Sequence, residues 1–207
     1  SRRSGVRRAF LWMFIRILRW MLKRGNSSLL GPVRMDNLPK AHSYAIAAGI
    51  AFPGRPVAAI VGDGGLAMQL GEFSTAVRYG IPLKVLVIKN NMLNQIAWEQ
   101  MMFLGNPQFG CELQPIDFAK AAEAMGGKGF SIERAEEVER VLDQAFATSG
   151  PVIIEALVDA YEPMMPPKMP PDYAKNFRKA LPQTPGRDLI EENVARDPAK
   201  TMMEAGE

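Results

Sequence analysis

The run Val57-Ala-Ala-Ile-Val-Gly-Asp-Gly-Gly65 constrains this chain more than any other feature, because a second apolar run, Leu83 to Ile88, follows it at a set distance. That second run ends in Asn90-Asn91, and 25 residues separate Gly64 from Asn90. Short continuous apolar runs bounded by turn residues predict strands buried on both faces. Between them, Met68 to Tyr79 has helical spacing, with Leu70, Phe73, Ala76 and Val77 on one side. Strand, glycine turn, helix and strand make one βαβ unit with its polar groups at the strand ends, where open α/β sheets bind ligands.

Gly62, Gly64 and Gly65 let the backbone turn sharply and approach a ligand, with N–H groups available at a helix start. That suits a phosphate, but the carboxylate of Asp63 in the same turn repels one. A divalent cation between them removes the conflict, and a hard cation takes carboxylate, amide and carbonyl oxygens. Asn90 and Asn91 supply amide oxygens at the neighbouring strand tip. The residues therefore read as a Mg²⁺-bridged diphosphate site. A dinucleotide fold is the competing reading, since Gly62-Asp-Gly-Gly-Leu-Ala67 also fits G-x-G-x-x-A. That fingerprint needs an acid at the second strand tip to hold the ribose. Here the tip is Lys89-Asn90-Asn91, with no acid before Glu99. The plainest alternative is a strand-to-helix turn with no ligand.

A GDG turn and an asparagine pair at this spacing resemble the diphosphate-binding domain of thiamine diphosphate-dependent enzymes. Within that superfamily, Trp98-Glu-Gln-Met-Met-Phe-Leu-Gly-Asn-Pro107 and Phe109-Gly-Cys-Glu-Leu113 resemble the pyruvate oxidase (quinone-linked pyruvate dehydrogenase) and acetolactate synthase family. So do Asp117-Phe-Ala-Lys-Ala-Ala-Glu-Ala-Met-Gly126 and Gly150-Pro-Val-Ile-Ile-Glu155. The resemblance runs from about Tyr44 to Lys168 and is specific for the cofactor.

The resemblance implies Mg²⁺ held by the motif aspartate, one asparagine of the pair and a backbone carbonyl two residues further on. Asp63 takes the first role. Aligning the strands puts Lys89-Asn90 where relatives carry Asn-Asn, and the relatives' Leu-Gly dipeptide then falls on Leu93-Asn94. Asn90 is thus the expected side-chain ligand and Met92 the carbonyl ligand, with Asn91 the fallback or simply a turn residue. Asn94 departs from the glycine usual there, and asparagine tolerates the left-handed conformation such a turn demands. The resemblance further implies that Gly62, Gly64 and Gly65 approach the diphosphate. The segment Asn90 to Ile96, with Met92, Leu93 and Asn94, would pass beside the thiazolium ring. Met68 and Met92 read as pocket lining or as plain packing.

In the family, a glutamate on a separate pyrimidine-binding domain, normally on a partner subunit, activates the cofactor. These 207 residues contain no match to that domain, nor to the middle domain that carries FAD in the oxidases. No catalytic residue is therefore assigned, and FAD belongs to a complete enzyme and not to this domain. The implied partners are a pyruvate-like 2-oxo acid, a pyrimidine-binding domain on another chain or missing segment, and further copies in a homo-oligomer. Relatives also carry a Gly-Ser-Met-like segment upstream of the motif aspartate, where this chain has Asp36-Asn37-Leu38. Residues 1–43 read as a basic and apolar segment outside the family pattern, consistent with a frameshift or gene fragment. The family pattern resumes at Tyr44-Ala-Ile-Ala-Ala-Gly-Ile50.

Residues 1–24 hold eight Lys or Arg and no acid, so the rest of the chain carries 17 basic against 22 acidic groups. An acidic core gives no support to nucleic-acid binding. Phe10 to Leu22, broken by Arg16 and Arg19, is too short and charged for a membrane span. It reads as non-native sequence, with an interfacial helix or transit peptide as alternatives, so membrane contact is weakly supported. The single cysteine, Cys111, excludes an internal disulfide and fits a reducing cytoplasm. His42, the only histidine, is expected at the surface. Beyond the final strand, Pro151 to Val158, the proline-rich stretch 162–171 excludes a regular helix or central strand. Asp172 to Leu181 and Asp188 to Ala195 read as short surface helices of a docking tail.

The expected fold is a three-layer α/β/α domain with a mainly parallel sheet over residues 44–160, followed by a linker and tail over 161–207. The expected function is thiamine diphosphate and Mg²⁺ binding in a 2-oxo acid decarboxylating enzyme. A subunit of a split enzyme, a non-catalytic truncated product and a dinucleotide-binding dehydrogenase are the alternatives.

Overall fold

The structure, a computed structural model, describes residues 40–55, 57–162 and 170–196. The basic N-terminal segment and most of the proline-rich stretch lie outside the described residues, as do Asp36-Asn37-Leu38 and the chain after Arg196. The described residues form two compact units. One runs to Asn90 and resumes over Pro115–Val158; the other comprises Asn91–Gln114 and the chain from Asp159.

The first unit is built on four strands: β1 (Val57–Gly62), β2 (Leu83–Lys89), β3 (Lys128–Ile132) and β4 (Val152–Leu157). All pairings are parallel, in the order β1-β2-β4-β3. The two inner strands, β2 and β4, are buried along nearly their whole length, whereas the equally apolar β1, expected to be buried on both faces, lies at the sheet edge and buries only alternate residues. On one face, helices α1 (Lys40–Ala51), α3 (Phe73–Arg78) and α5 (Phe118–Ala124) pack through Ala45, Ile46, Phe73, Ala76, Phe118 and Ala122. They meet Val57, Ala59, Val61, Leu83, Val85, Val87 and Ile153 from the sheet. On the other face, α6 (Val138–Ala147) lays Val138, Val141, Leu142 and Ala145 on Leu86, Ile132, Val152, Ile154 and Ala156. Those four residues fall at i, i+3, i+4 and i+7, one stripe of a helix. The layers are helix, sheet and helix, as the sequence predicts.

Two expectations change. The chain does not wait for Met68 to become helical: Asp63–Ala67 forms a short helix, α2, directly off β1, and a 3₁₀ turn over Leu70–Glu72 leads into α3. The expected Leu70, Phe73, Ala76 and Val77 face is nonetheless inward, while Met68 is 63% exposed. His42 is buried, not at the surface. It is 1% exposed, lies beside the Phe73 ring, and neither ring nitrogen has a hydrogen-bond partner among the described residues.

Among its described residues the second unit contains no sheet. Helix α4 (Asn94–Met102) buries Ala97, Trp98, Met101 and Met102. Against this stripe pack α7 (Pro171–Ala180) through Phe177 and Ala180, and α8 (Arg187–Arg196) through Ile190. The Trp98 and Phe177 rings stack with centroids 5.6 Å apart. Asn176 Nδ2 donates to the carbonyls of Met102 (3.1 Å) and Phe103 (3.0 Å), satisfying acceptors that the end of α4 leaves open. The tail helices read from sequence as surface elements therefore form half of this unit's core.

Candidate functional site

Each unit carries part of the predicted site. In the first, β1 ends at Gly62 and α2 begins at Asp63 with no intervening loop. The Asp63 carboxylate is 6% exposed and joins two strand tips. Its Oδ1 accepts the Gly64 N–H (2.9 Å) and its Oδ2 accepts the Asn90 N–H (3.0 Å). Gly62 pairs with Ile88 in the parallel ladder, so Asp63 and Asn90 leave adjacent strands at the same end of the sheet. The two residues that the sequence assigns to one metal are thus brought together by backbone register.

Gly62 has φ −73° and ψ 155°, values open to any residue, and a Cβ built there meets nothing within 4 Å. Neither backbone strain nor packing among the described residues demands glycine at 62. Open space at a strand tip, beside a buried carboxylate, is what close approach of a bound group requires. Gly64 and Gly65 are buried in the first turn of α2, and the Gly64 N–H is directed at Asp63.

In the second unit, Asn91 has φ 57°, the only non-glycine in the left-handed region among the described residues. The strained turn thus falls on Asn91 and not on Asn94, which instead opens α4. Asparagine is among the few residues that adopt this conformation cheaply. Met92 then forms an isolated antiparallel bridge with Glu112. The bonds flanking it run from the Leu93 N–H to the Cys111 carbonyl (2.7 Å) and from the Leu113 N–H to the Asn91 carbonyl (2.9 Å). In that pattern, the peptide groups of Met92 itself point away from Glu112. The Met92 side chain is buried with Ala97 and Cys111. Burial pushes the Cys111 thiol above its ordinary pKa, which fits a packed and unreactive sulfur.

Sequence reasoning missed two lysines in β2. Lys89 lies in a buried ion pair with Glu155 of β4 (3.1 Å). The carboxylate also accepts the Phe118 N–H (3.1 Å) and the Ser131 hydroxyl (2.9 Å). The signal was an acid in the middle of the apolar run Val152–Leu157, which a buried strand does not tolerate without a partner. At the other end of β2, Lys84 Nζ donates to the carbonyls of Thr148 and Gly150, both at 2.7 Å. Burial pushes this ammonium down to about 8, while the two carbonyls at the end of α6 favour the charged form.

A parallel sheet covered by helices, with a GDG turn at one strand tip and asparagine at the next, agrees with the thiamine diphosphate-binding fold that the resemblance implies. The family model for the thiamine pyrophosphate enzyme C-terminal TPP-binding domain, TPP being the same cofactor, matches residues 25–156, and the chain belongs to that family. The match begins ahead of Tyr44, where the motifs first resume. A Bacillus subtilis protein described as thiamine pyrophosphate-containing, YdaP, is 36% identical over 137 residues, covering 66% of this chain and 24% of its own length. The mitochondrial acetolactate synthase catalytic subunit of Saccharomyces cerevisiae is 37% identical over 123 residues, 59% of this chain and 18% of that protein. Pyruvate oxidase of Lactiplantibacillus plantarum is 33% identical over 132 residues, 63% of this chain and 22% of that enzyme. The matches thus span about a quarter or less of each of these relatives.

Proposed function

We propose that this chain supplies the diphosphate- and Mg²⁺-binding part of a 2-oxo acid decarboxylating enzyme of the pyruvate oxidase and acetolactate synthase kind. The observation that carries the reading is the buried Asp63 carboxylate spanning the tips of β1 and β2, next to a glycine whose Cβ position is open among the described residues. Asp63, the Asn90 side chain and the Met92 carbonyl are the metal ligands in this reading. An all-oxygen set with one carboxylate suits Mg²⁺, which completes its shell with substrate phosphates and water. Asn91 is then a turn residue and not a ligand. The Gly62 to Gly65 backbone admits the diphosphate.

When bound, thiamine diphosphate supplies the electron sink that lets a pyruvate-like 2-oxo acid lose carbon dioxide. The residues of this chain would position the diphosphate and hold the Mg²⁺ that neutralises its charge. The group that activates the aminopyrimidine comes, in this reading, from a pyrimidine-binding domain on another chain or segment, in a homo-oligomeric enzyme. FAD, where the complete enzyme uses it, is bound outside this domain.

Calorimetric titration of the chain with thiamine diphosphate, with and without Mg²⁺, tests the site. Binding is expected only with the metal, and Asp63→Ala is expected to weaken it at least 100-fold, about 3 kcal/mol, as for loss of a charged metal ligand. Metal-independent binding that survives Asp63→Ala would sink the assignment.

A further inference from the structure

The Lys89–Glu155 cluster sits directly behind the proposed metal ligands, yet no ligand role accounts for it. A buried ion pair is not by itself a source of stability, because desolvating two charges offsets most of their attraction. Its position is informative. On the β1 side, the β2 ladder stops at Ile88, opposite Gly62; on the β4 side it continues to Lys89, opposite Leu157. The last residue of β2 is therefore held from one side only. Asn90, one residue further, must still meet Asp63.

Three contacts anchor Lys89. Its carbonyl accepts the Val158 N–H (2.9 Å). Its Nζ bonds Glu155 Oε2 (3.1 Å) and lies 6.0 Å from the centre of the Phe118 ring. Glu155 is itself fixed by the first N–H of α5, from Phe118, and by Ser131 of β3. Three elements, β2, β3 and α5, thus converge on one carboxylate of β4, with side chains on Lys89 and Glu155 only 10% and 7% exposed. The next backbone N–H along the chain from Lys89 is the one that Asp63 accepts.

We propose that the Lys89–Glu155 pair is a positioning device: it pins the tip of β2 to β4, β3 and α5, and so keeps Asn90 aligned with Asp63. Lys89 and Glu155 touch neither metal nor cofactor in this scheme and act only through Asn90. The effect on Mg²⁺ rests on the function proposed above; the effect on Asn90 does not.

The test uses the full chain and the double variant Lys89→Met/Glu155→Gln. Both charges go together, so no buried charge is stranded, and the carboxamide still accepts from Phe118. Amide hydrogen exchange read by NMR is expected to speed up at least tenfold at Asn90, with Leu142 and Ala145 of α6 unchanged. The Mg²⁺ concentration that half-saturates thiamine diphosphate binding is expected to rise at least tenfold. Unchanged exchange at Asn90 in a folded double variant overturns the proposal, even where the wild-type chain binds cofactor with its metal. Faster exchange at Asn90 in a chain that shows no Mg²⁺-dependent binding upholds the positioning and removes the proposed function instead. Should the double variant not fold, Ser131→Ala, which frees one oxygen of Glu155, takes its place. A roughly threefold acceleration at Asn90 is then expected, and none overturns the proposal.

Discussion

The two units reach a buried core by opposite routes. The first takes its order from the backbone: parallel ladders in fixed register bring Asp63 and Asn90 to one end of a sheet whose inner strands are written as apolar runs. The second has one isolated bridge and otherwise relies on side chains, with Trp98, Met101 and Met102 from one stretch of chain meeting Phe177, Ala180 and Ile190 from another far along it. A ladder fixes position to a fraction of a residue, because a slip of one turns every side chain to the other face. A helix-on-helix contact of methionine and aromatic side chains adapts more readily. The ligands assigned to side chains, Asp63 and Asn90, lie in the first kind of structure.

The largest test of this contrast is Phe177→Ala. The ring is 5% exposed and stacked on Trp98, so its removal is expected to cost about 3–5 kcal/mol. By hydrogen-exchange mass spectrometry, the loss should appear in α4, α7 and α8 while β1, β2 and β4 keep their protection. Equal loss in the strands would break the comparison, since the units would then open as one.

The same contrast explains what could be read in advance. Parallel strands show as short apolar runs, and Gly62, Asp63 and Asn90 stand at their ends, so the sheet, the layers and the candidate ligands were legible. Register supplied what the runs did not. The start of α2 at Asp63 was hidden because two glycines after an aspartate read as loop, whereas here a helix grows straight from the strand. The sequence leaves Asn91 as turn residue or fallback ligand and expects a left-handed turn at Asn94 as well; only the backbone shows that Asn91 carries the positive φ while Asn94 opens a helix. In the tail, Phe177 and Ile190 are lone apolar residues on polar helices. Nothing local shows that Trp98, at a distance of many turns of chain, supplies their other half. His42 failed for the same reason: its burial depends on Phe73, beyond the following strand.

A smaller effect separates ligand from turn at the β2 exit. If Asn91 serves only its φ of 57°, Asn91→Gly should leave the Mg²⁺ requirement intact and change stability by a few tenths of a kcal/mol at most. Asn91→Val, which resists that conformation, should cost about 1–2 kcal/mol. Asn90→Ala should instead weaken Mg²⁺-dependent cofactor binding with little loss of stability. A titration in which Asn91→Gly weakens Mg²⁺-dependent binding and Asn90→Ala leaves it unchanged would transfer the ligand role to Asn91.

The smallest expected effect concerns His42, a buried side chain whose ring nitrogens have no hydrogen-bond partner among the described residues. Burial holds its pKa below the ordinary 6.5, and the charge of Glu72 opposes that shift only in part. The folded chain therefore keeps the ring neutral where the unfolded chain already binds a proton. Stability supplied by this site is present above pH 6.5 and is lost as the pH falls through 6.5 towards the lower folded value. His42→Phe removes the proton uptake and two nitrogens that lack partners among the described residues, and it keeps a ring beside Phe73. It is expected to raise Tm by about 2–4 °C at pH 7, corresponding to about 1 kcal/mol. The gain over wild type should widen as the pH is lowered from 6.5 to 5. Parallel Tm curves for the two proteins over that range would mean that His42 stays solvated and that the α1 face of the sheet is looser than its α6 face.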